Sequence, residues 1–488
     1  MNSAFTAEMW RSLLPEIGLL ILALVLLILD LIWLKKPQQR GKWLGWITSL
    51  GVLVIMGVAA IFSFPRGEAS LEWGGMLRFD EAGFVFRMLF LSAAALTALF
   101  AIQHDALRKR GEFFALLLIS TLGMNLMASA ADLMLLFLAI ETTSIPLYVM
   151  AGFLTRDNRS VEAGIKYFLF GAITSAVMLY GFSLIYGLTG TTQIYELKTA
   201  FQSANLPVGL AGLVILLVLV GFGFKISAAP FHFWAPDVYQ GAPTPVAGFL
   251  STASKAAGFA VLLRVFQITF ADQSALWSVI VGLIAAASML IGNYLALAQR
   301  SIKRLLAYSS IAHAGYILIG VAVDSELGTL AVVYYLMAYL VTNLAAFGIV
   351  HLIENRVGTD EISALAGLNR RSAGLSLAML GAMLSLGGIP PFAGFFAKLL
   401  VFAAAVEQGM IWLVLVGVFN AVVGLYYYLN VLKVIYLQPP AEEKIVAPTT
   451  PAWRIALWAC MAGILLIGFW FAPWYSWAQA VTSAIWVY

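Results

Sequence analysis

Charge is what this 488-residue chain has least of: Asp, Glu, Lys and Arg make up 11% of it, against 62% hydrophobic residues. Soluble domains carry about 25% charged residues. Too little charge is left to solvate an ordinary surface, and the mean hydropathy of +0.93 is that of an integral membrane protein. Cysteine is almost missing. The single Cys460 lies in an apolar run and excludes an internal disulfide framework. The four histidines, His104, His232, His313 and His351, are scattered, and neither a Gly-rich phosphate loop nor a cysteine cluster occurs. No dinucleotide, metal or haem site is therefore visible. The start of the chain has no basic region followed by a small-residue cleavage site, so no cleaved signal is expected. The net charge of +4 invites a nucleic-acid partner, but the basic residues sit in short loops between apolar spans, so none is expected.

What is present is a series of long apolar runs, at 17–34, 43–64, 84–102, 113–131, 133–153, 167–188, 208–230, 246–270, 276–298, 305–323, 327–353, 375–405, 411–436 and 455–471. Most reach the roughly 20 residues that cross a bilayer. They do not alternate apolar and polar residues, as the roughly ten-residue strands of a membrane barrel would. The expected fold is all-α and polytopic, with about fourteen transmembrane helices in one domain over 1–488. Loops after odd-numbered spans hold Lys35, Lys36, Arg40, Lys42, Arg108, Lys109, Arg110, Arg156, Arg159, Arg300, Lys303, Arg304, Arg356, Arg370, Arg371, Lys444 and Arg454. Loops after even-numbered spans offer little beyond Arg66, Arg78 and Lys198. By the positive-inside rule the odd loops face the cytoplasm and both termini face the other side.

Chemistry must then reside in ionisable groups inside the spans, because an intramembrane charge costs several kcal/mol and its presence suggests function. Four stand out. Glu141, in "LAIETTSIPLYV", lies ~12 Å into its helix at 1.5 Å per residue. Lys225 lies in "GFGFKISAAPFHFWAP", Lys255 in "FLSTASKAAGF" and Lys398 in "GGIPPFAGFFAKLL". Pro230 breaks the seventh span just after Lys225, and Gly387, Gly388, Pro390 and Pro391 break the twelfth before Lys398. Breaks at matching places in two halves of a chain mark ion pathways in transporters. Here they fall five spans apart, as two five-span repeats at 113–270 and 276–436 would place them. Because five is odd, the second repeat is expected upside down.

Plainer readings stand beside these. Glu141 and Lys225 fit a structural ion pair. His232 fits a partner for a carbonyl freed by the break as well as a proton relay. Lys166 fits an interfacial snorkeler, His313 a packed polar residue, Tyr426 to Tyr428 packing, and Asp30 an interfacial carboxylate. A purely structural scaffold would not need four buried charges.

The segment "GFGFKISAAPFHFWAPDVYQGAPTPVAGFLSTASK" from Gly221 to Lys255, with "IETTSIPLY", "SVEAGIKYF", "SIKRLLAYSSIAHAGY", "LSLGGIPPFAGFFAK" and "GLYYYL", resembles the subunit N family of the proton-pumping NADH-quinone oxidoreductase, respiratory complex I. This is the counterpart of mitochondrial subunit 2 within the antiporter-like superfamily. The resemblance runs from about the third span to the thirteenth. It implies inverted five-helix repeats, broken helices 7 and 12, and proton translocation as a non-redox subunit of the translocase. It further implies that Glu141 and Lys225 form the charge pair of the first half-channel, that Lys255 is the central relay and Lys398 the exit-side residue, and that His232 and Lys166 are secondary. It implies no cofactor in this chain; flavin, iron–sulfur clusters and quinone chemistry are expected in partner subunits. The expected partners are other membrane subunits, including further antiporter-like ones, and the lipid bilayer. The expected location is the bacterial inner membrane, or a thylakoid-type membrane if the chain serves the ferredoxin-driven photosynthetic relative of the complex. An Mrp-type cation/proton antiporter subunit is the other alternative, against which "YQGAPTPV" argues.

Overall fold

Apolar runs of this length have no water to satisfy their backbone, so each must close its hydrogen bonds internally as a helix. The computed structural model describes residues 7–33, 37–204, 207–440 and 449–486; Lys35, Lys36 and Lys444 lie outside them. Thirteen helices among the described residues are long and apolar enough to cross a bilayer. In chain order, spans 1 to 6 are Ala7–Ile32, Pro37–Phe62, Glu81–Ala101, Gly111–Ser129, Leu133–Ala151 and Asn158–Thr189. Span 7 is Val208–Ile226, continued after a break by Trp234–Gly241. Span 8 covers Thr244–Thr269, with π-helical turns at Leu250–Ser254 and Val265–Thr269. Spans 9 to 11 are Ser274–Ala296, Ile302–Ala322 and Glu326–Val357; spans 13 and 14 are Ile411–Leu437 and Pro451–Phe469. The fourteenth crossing is span 12, whose halves Ala373–Gly387 and Ala393–Glu407 are each too short to span alone.

Two helices were not foreseen, because neither is a long apolar run. Ile194–Ala204 is a short amphipathic helix between spans 6 and 7, and Phe471–Trp486 follows span 14 and packs on spans 3 and 11. A small hairpin pairs Ser70–Glu72 with Leu77–Phe79. Helix starts are capped by Asp80, Asp132, Asp157, Ser301, Ser325 and Thr450, whose side chains accept first-turn N–H groups.

The two halves repeat. Spans 6 and 11 are both 32 residues long and end on left-handed glycines, Gly190 and Gly358. At the start of span 5 the Leu133 N–H donates to the Thr192 carbonyl and the Ile194 N–H to the Ala131 carbonyl. At the start of span 10 Ile302 and Ile362 make the same pair of bonds with Asp360 and Arg300. Each crossing ties the start of one helix to the loop that leaves the next. The first lies after even-numbered spans and the second after odd-numbered ones, so they occupy opposite faces of the bundle, as an inverted repeat requires.

Spans 8, 10 and 11 are buried along nearly their whole length, whereas spans 1, 2, 6 and 13 expose most of theirs. Without a hydrophobic drive inside lipid, close contact depends on small residues. Gly292 of span 9 and Gly315 of span 10 lie where a Cβ would meet the backbone of the facing helix, at 2.6 Å from Ala312 N and 2.7 Å from Ala285 O. Gly292→Val is expected to destabilise the chain by about 1–3 kcal/mol through overpacking, read as a lower unfolding temperature in detergent; an unchanged temperature would show that these helices can part freely.

Candidate functional site

The first break follows from chain chemistry. Span 7 ends at Ser227, which adopts the left-handed conformation at φ 58°, and the Ala228 N–H turns back to the Gly223 carbonyl at 2.8 Å. Pro230 offers no donor to continue the helix. The groups that the break frees are met by side chains: Ser288 Oγ accepts from Ala229 N at 2.9 Å, and Trp234 Nε1 donates to the Phe224 carbonyl at 3.2 Å. The second break has the same form. Gly388 is left-handed at φ 82°, Ile389 N donates to Leu384 O at 3.0 Å, and Pro391 and Phe392 stand where Pro230 and Phe231 stand in the first.

Lys225 is buried in the last turn before the first break, and its Nζ donates to Ser144 Oγ at 2.7 Å. The Ser144 hydroxyl in turn donates to the Ile140 carbonyl at 2.5 Å. Glu141, one turn from Ser144 on span 5, accepts instead from Ser175 Oγ of span 6 at 2.6 Å. The expected charge pair is therefore not a direct one. The ammonium and the carboxylate each bind a different serine hydroxyl, Ser144 and Ser175, because span 5 turns Ser144 rather than Glu141 toward Lys225. Glu141 is also only partly covered by its own chain.

Lys255 follows the π-turn of span 8 and is fully buried, and its Nζ donates to the Ser310 carbonyl at 2.6 Å and to Ser310 Oγ at 2.7 Å. One turn on, Gly258 makes room for the Lys225 stem, whose Cγ lies 3.3 Å from where a Cβ would sit. Lys398 is buried in the second half of span 12 and reaches back to the end of the first half. Its Nζ donates to the carbonyls of Leu386 at 2.9 Å and Gly387 at 3.1 Å. A cation at the end of a helix meets both unsatisfied carbonyls and the negative pole of the dipole. The ammonium also lies 5.0 Å from the centre of the Tyr316 ring.

His313 lies between Lys255 and Lys398, bonded through Nδ1 to the Tyr335 hydroxyl at 2.7 Å and through Nε2 to the Tyr428 hydroxyl at 3.1 Å. Tyr428 continues to Ser309 Oγ at 2.5 Å. His313 and Tyr428, expected to pack, are thus packed and hydrogen-bonded to one another. The signal was the repeat: Ser310 and His313 stand eight and eleven residues after Ile302, as Glu141 and Ser144 stand after Leu133. His232 is buried at the first break with Nδ1 unpartnered, stacked on Phe233. Lys166 does not snorkel freely. Its Nζ is 2.7 Å from Glu162 and 2.5 Å from Asp237, and Asp237 is shared with Arg304 at 2.6 Å. Asp237 follows Pro230 by seven residues, as Lys398 follows Pro391, so the position that carries a buried cation in one half carries an ion-paired anion in the other. Asp30 is buried beside Gly111.

Two buried arginines escaped the sequence reading because each sits inside an apolar run. Arg87 Nε binds Glu16 Oε1 at 2.8 Å, tying span 3 to span 1. Arg264 of span 8 grips Asp80 through two nitrogens at 2.8 and 3.0 Å and also meets the Tyr195 hydroxyl.

Fourteen spans among the described residues, two matching halves and buried lysines at and between paired helix breaks define a polytopic membrane protein of the antiporter-like class. A family model described as "NADH:quinone oxidoreductase/Mrp antiporter, TM" matches residues 130–424, and the chain belongs to that family. It is 39% identical to "NADH-quinone oxidoreductase subunit N" of Anaeromyxobacter sp. (strain Fw109-5), over 96% of this chain and 95% of that protein. It is 41% identical to "NAD(P)H-quinone oxidoreductase subunit 2" of Trichormus variabilis, over 91% and 85%. Among solved structures, a chain of respiratory complex I from Thermus thermophilus matches with a TM-score of 0.78 and 35% identity, over 95% of this chain and 98% of that one. A chain of the Mrp complex from Dietzia sp. DQ12-45-1b matches in fold, with a TM-score of 0.84 at 21% identity over 99% and 98%.

Proposed function

We propose that this chain is the antiporter-like, subunit N-type membrane component of a proton-pumping quinone oxidoreductase, and that it moves protons along Glu141, Ser144, Lys225, Lys255, Ser310, His313 and Lys398. The observation that carries this reading is that Lys225, Lys255, His313 and Lys398 are all buried, on spans 7, 8, 10 and 12 at and between the two helix breaks, each bonded to a hydroxyl or a carbonyl. A buried ammonium is disfavoured by desolvation and favoured by a nearby carboxylate. Where such a pair is near but not in direct contact, a small shift of span 5 or 7 changes how strongly Lys225 holds its proton. The groups then titrate as a coupled set. His232 and Lys166 are secondary, at the break and at the outer end of its second half. The two repeats, 113–270 and 276–436, supply one half-channel each.

These buried groups supply no energy source, so redox chemistry on flavin, iron–sulfur clusters and quinone belongs to partner subunits, which also set the electron donor. Glu141, only partly covered by its own chain, faces a lateral membrane partner that completes its burial. The basic residues in the odd-numbered connections support a topology with those loops in the cytoplasm of a bacterial cell and both termini on the other side.

Lys398 tests this reading. Lys398→Arg keeps the positive charge at the helix end but cannot give up a proton. Proton pumping by the assembled complex in vesicles is expected to fall about fivefold, less than the loss typical of a lone acid–base group because further antiporter-like partner subunits pump as well. Normal pumping would reduce Lys398 to a helix-capping cation.

A further inference from the structure

A second cluster of titratable groups lies away from this line, on the face that carries Arg108, Lys109 and Arg110. His104, in the loop after span 3, stacks on His351 of span 11 with ring centres 5.4 Å apart and planes 3° from parallel. One turn along span 11, Glu354 lies 3.1 Å from Lys303 Nζ and accepts from the Thr244 hydroxyl. Lys303 also donates to the Ala242 carbonyl at 3.1 Å, so the cluster grips the connection between spans 7 and 8. Burial, with Lys303 nearby, holds the His104 pKa below the ordinary histidine range, against the opposing pull of Glu354 and Asp105. His104 therefore favours its neutral form, and its imidazole is the one titratable group of the cluster that lies in the loop.

From the cluster, one face of span 11 leads inward. His351, Asn343, Tyr339 and Tyr335 recur at helical spacing. Asn343 Nδ2 donates to the Tyr339 hydroxyl at 3.0 Å and to Ser251 Oγ at 2.7 Å, and Tyr335 reaches His313. Only Phe347 interrupts the stripe, lying against Gly248 and 6.2 Å from the Tyr239 ring. Two buried polar atoms beside it have no partner: Asn343 Oδ1, one turn away, and the Tyr239 hydroxyl. Buried polar atoms without protein partners are where ordered water is expected.

We infer that this stripe is a second proton-access route, running from the His104–His351–Glu354 cluster to His313 and Lys255, with Phe347 as its gate. It rests on the relay reading above. The cluster takes a proton from bulk water on the basic face, and rotation of Phe347 opens room for water between His351 and the unpartnered Asn343 Oδ1 and Tyr239 hydroxyl. The route feeds the central group without passing Lys225.

The test uses the intact complex in inverted vesicles, whose basic face meets the buffer. His351→Leu removes the imidazole, and Glu354→Gln keeps the hydrogen bonds but not the charge. Pumping is expected to fall about fivefold at pH 8, where protons are scarce, and less than about twofold at pH 6.5, where a collecting group matters less. An equal loss at both pH values would mark a structural role and overturn the route, as would normal pumping at both. If either variant fails to assemble, His104→Ala in the loop decides, with about a threefold loss at pH 8 alone expected and no pH-dependent loss overturning the proposal. Lys398→Arg run alongside separates the two readings. Normal pumping there sinks the relay itself, whereas a deficit there with pH-independent behaviour of the cluster variants sinks only the second route.

Discussion

Lys225→Arg is expected to assemble normally and to lose proton pumping by about tenfold or more, because a guanidinium keeps its proton in any protein environment. The substitution retains a cation opposite Ser144 and near Glu141, so a structural ion pair would tolerate it. A relay would not. Lys225→Ala is expected to pump as poorly, and it also leaves the Ser144 hydroxyl without its donor. The measurement is pumping in membrane vesicles beside the amount of assembled complex. Full pumping by the Arg variant would leave Lys225 with a structural role only.

The largest effect on stability is expected at Arg264. Replacing it with Met strips Asp80 of both charge-assisted bonds, at 2.8 and 3.0 Å, while that carboxylate stays buried and keeps its N-cap bond to Gly83. Removing one partner of a buried pair costs about 3–5 kcal/mol because the other charge is left uncompensated. Arg78, 3.9 Å from Asp80, offsets only part of this. Arg264→Met is therefore expected to lower the amount of assembled complex and its unfolding temperature. Arg264→Lys should recover part of the loss, since it restores the charge without the two-pronged geometry. Unchanged stability in Arg264→Met would show that water reaches Asp80 freely.

Neither arginine was legible beforehand. Arg87 and Arg264 each interrupt an apolar run, but a run tolerates one charge without losing its membrane character, and nothing in one-dimensional order links Arg264 to Asp80 or Arg87 to Glu16. Glu141, Lys225, Lys255 and Lys398 were legible because each lies near a proline or glycine break or deep in a run. His313 was not, because its meaning depends on Tyr335 and Tyr428, which arrive from spans 11 and 13. The helix after Ile194 and the one after Phe471 were missed for a simpler reason: neither carries a long enough apolar stretch.

The number of crossings, the helical class, the basic faces of the loops and the two breaks follow from composition and order alone. A backbone in lipid must satisfy itself within each segment, so twenty apolar residues dictate a helix wherever they fold, and a proline ends one wherever it lies. Which side chains meet is a different matter. Ser144 rather than Glu141 receives Lys225, Ser310 receives Lys255, and the carbonyls of Leu386 and Gly387 receive Lys398. Each of these contacts depends on the rotation of one helix about its axis against another. Packing of small and large residues sets that rotation across spans far apart in sequence, and one residue of helical turn moves a side chain through about 100°.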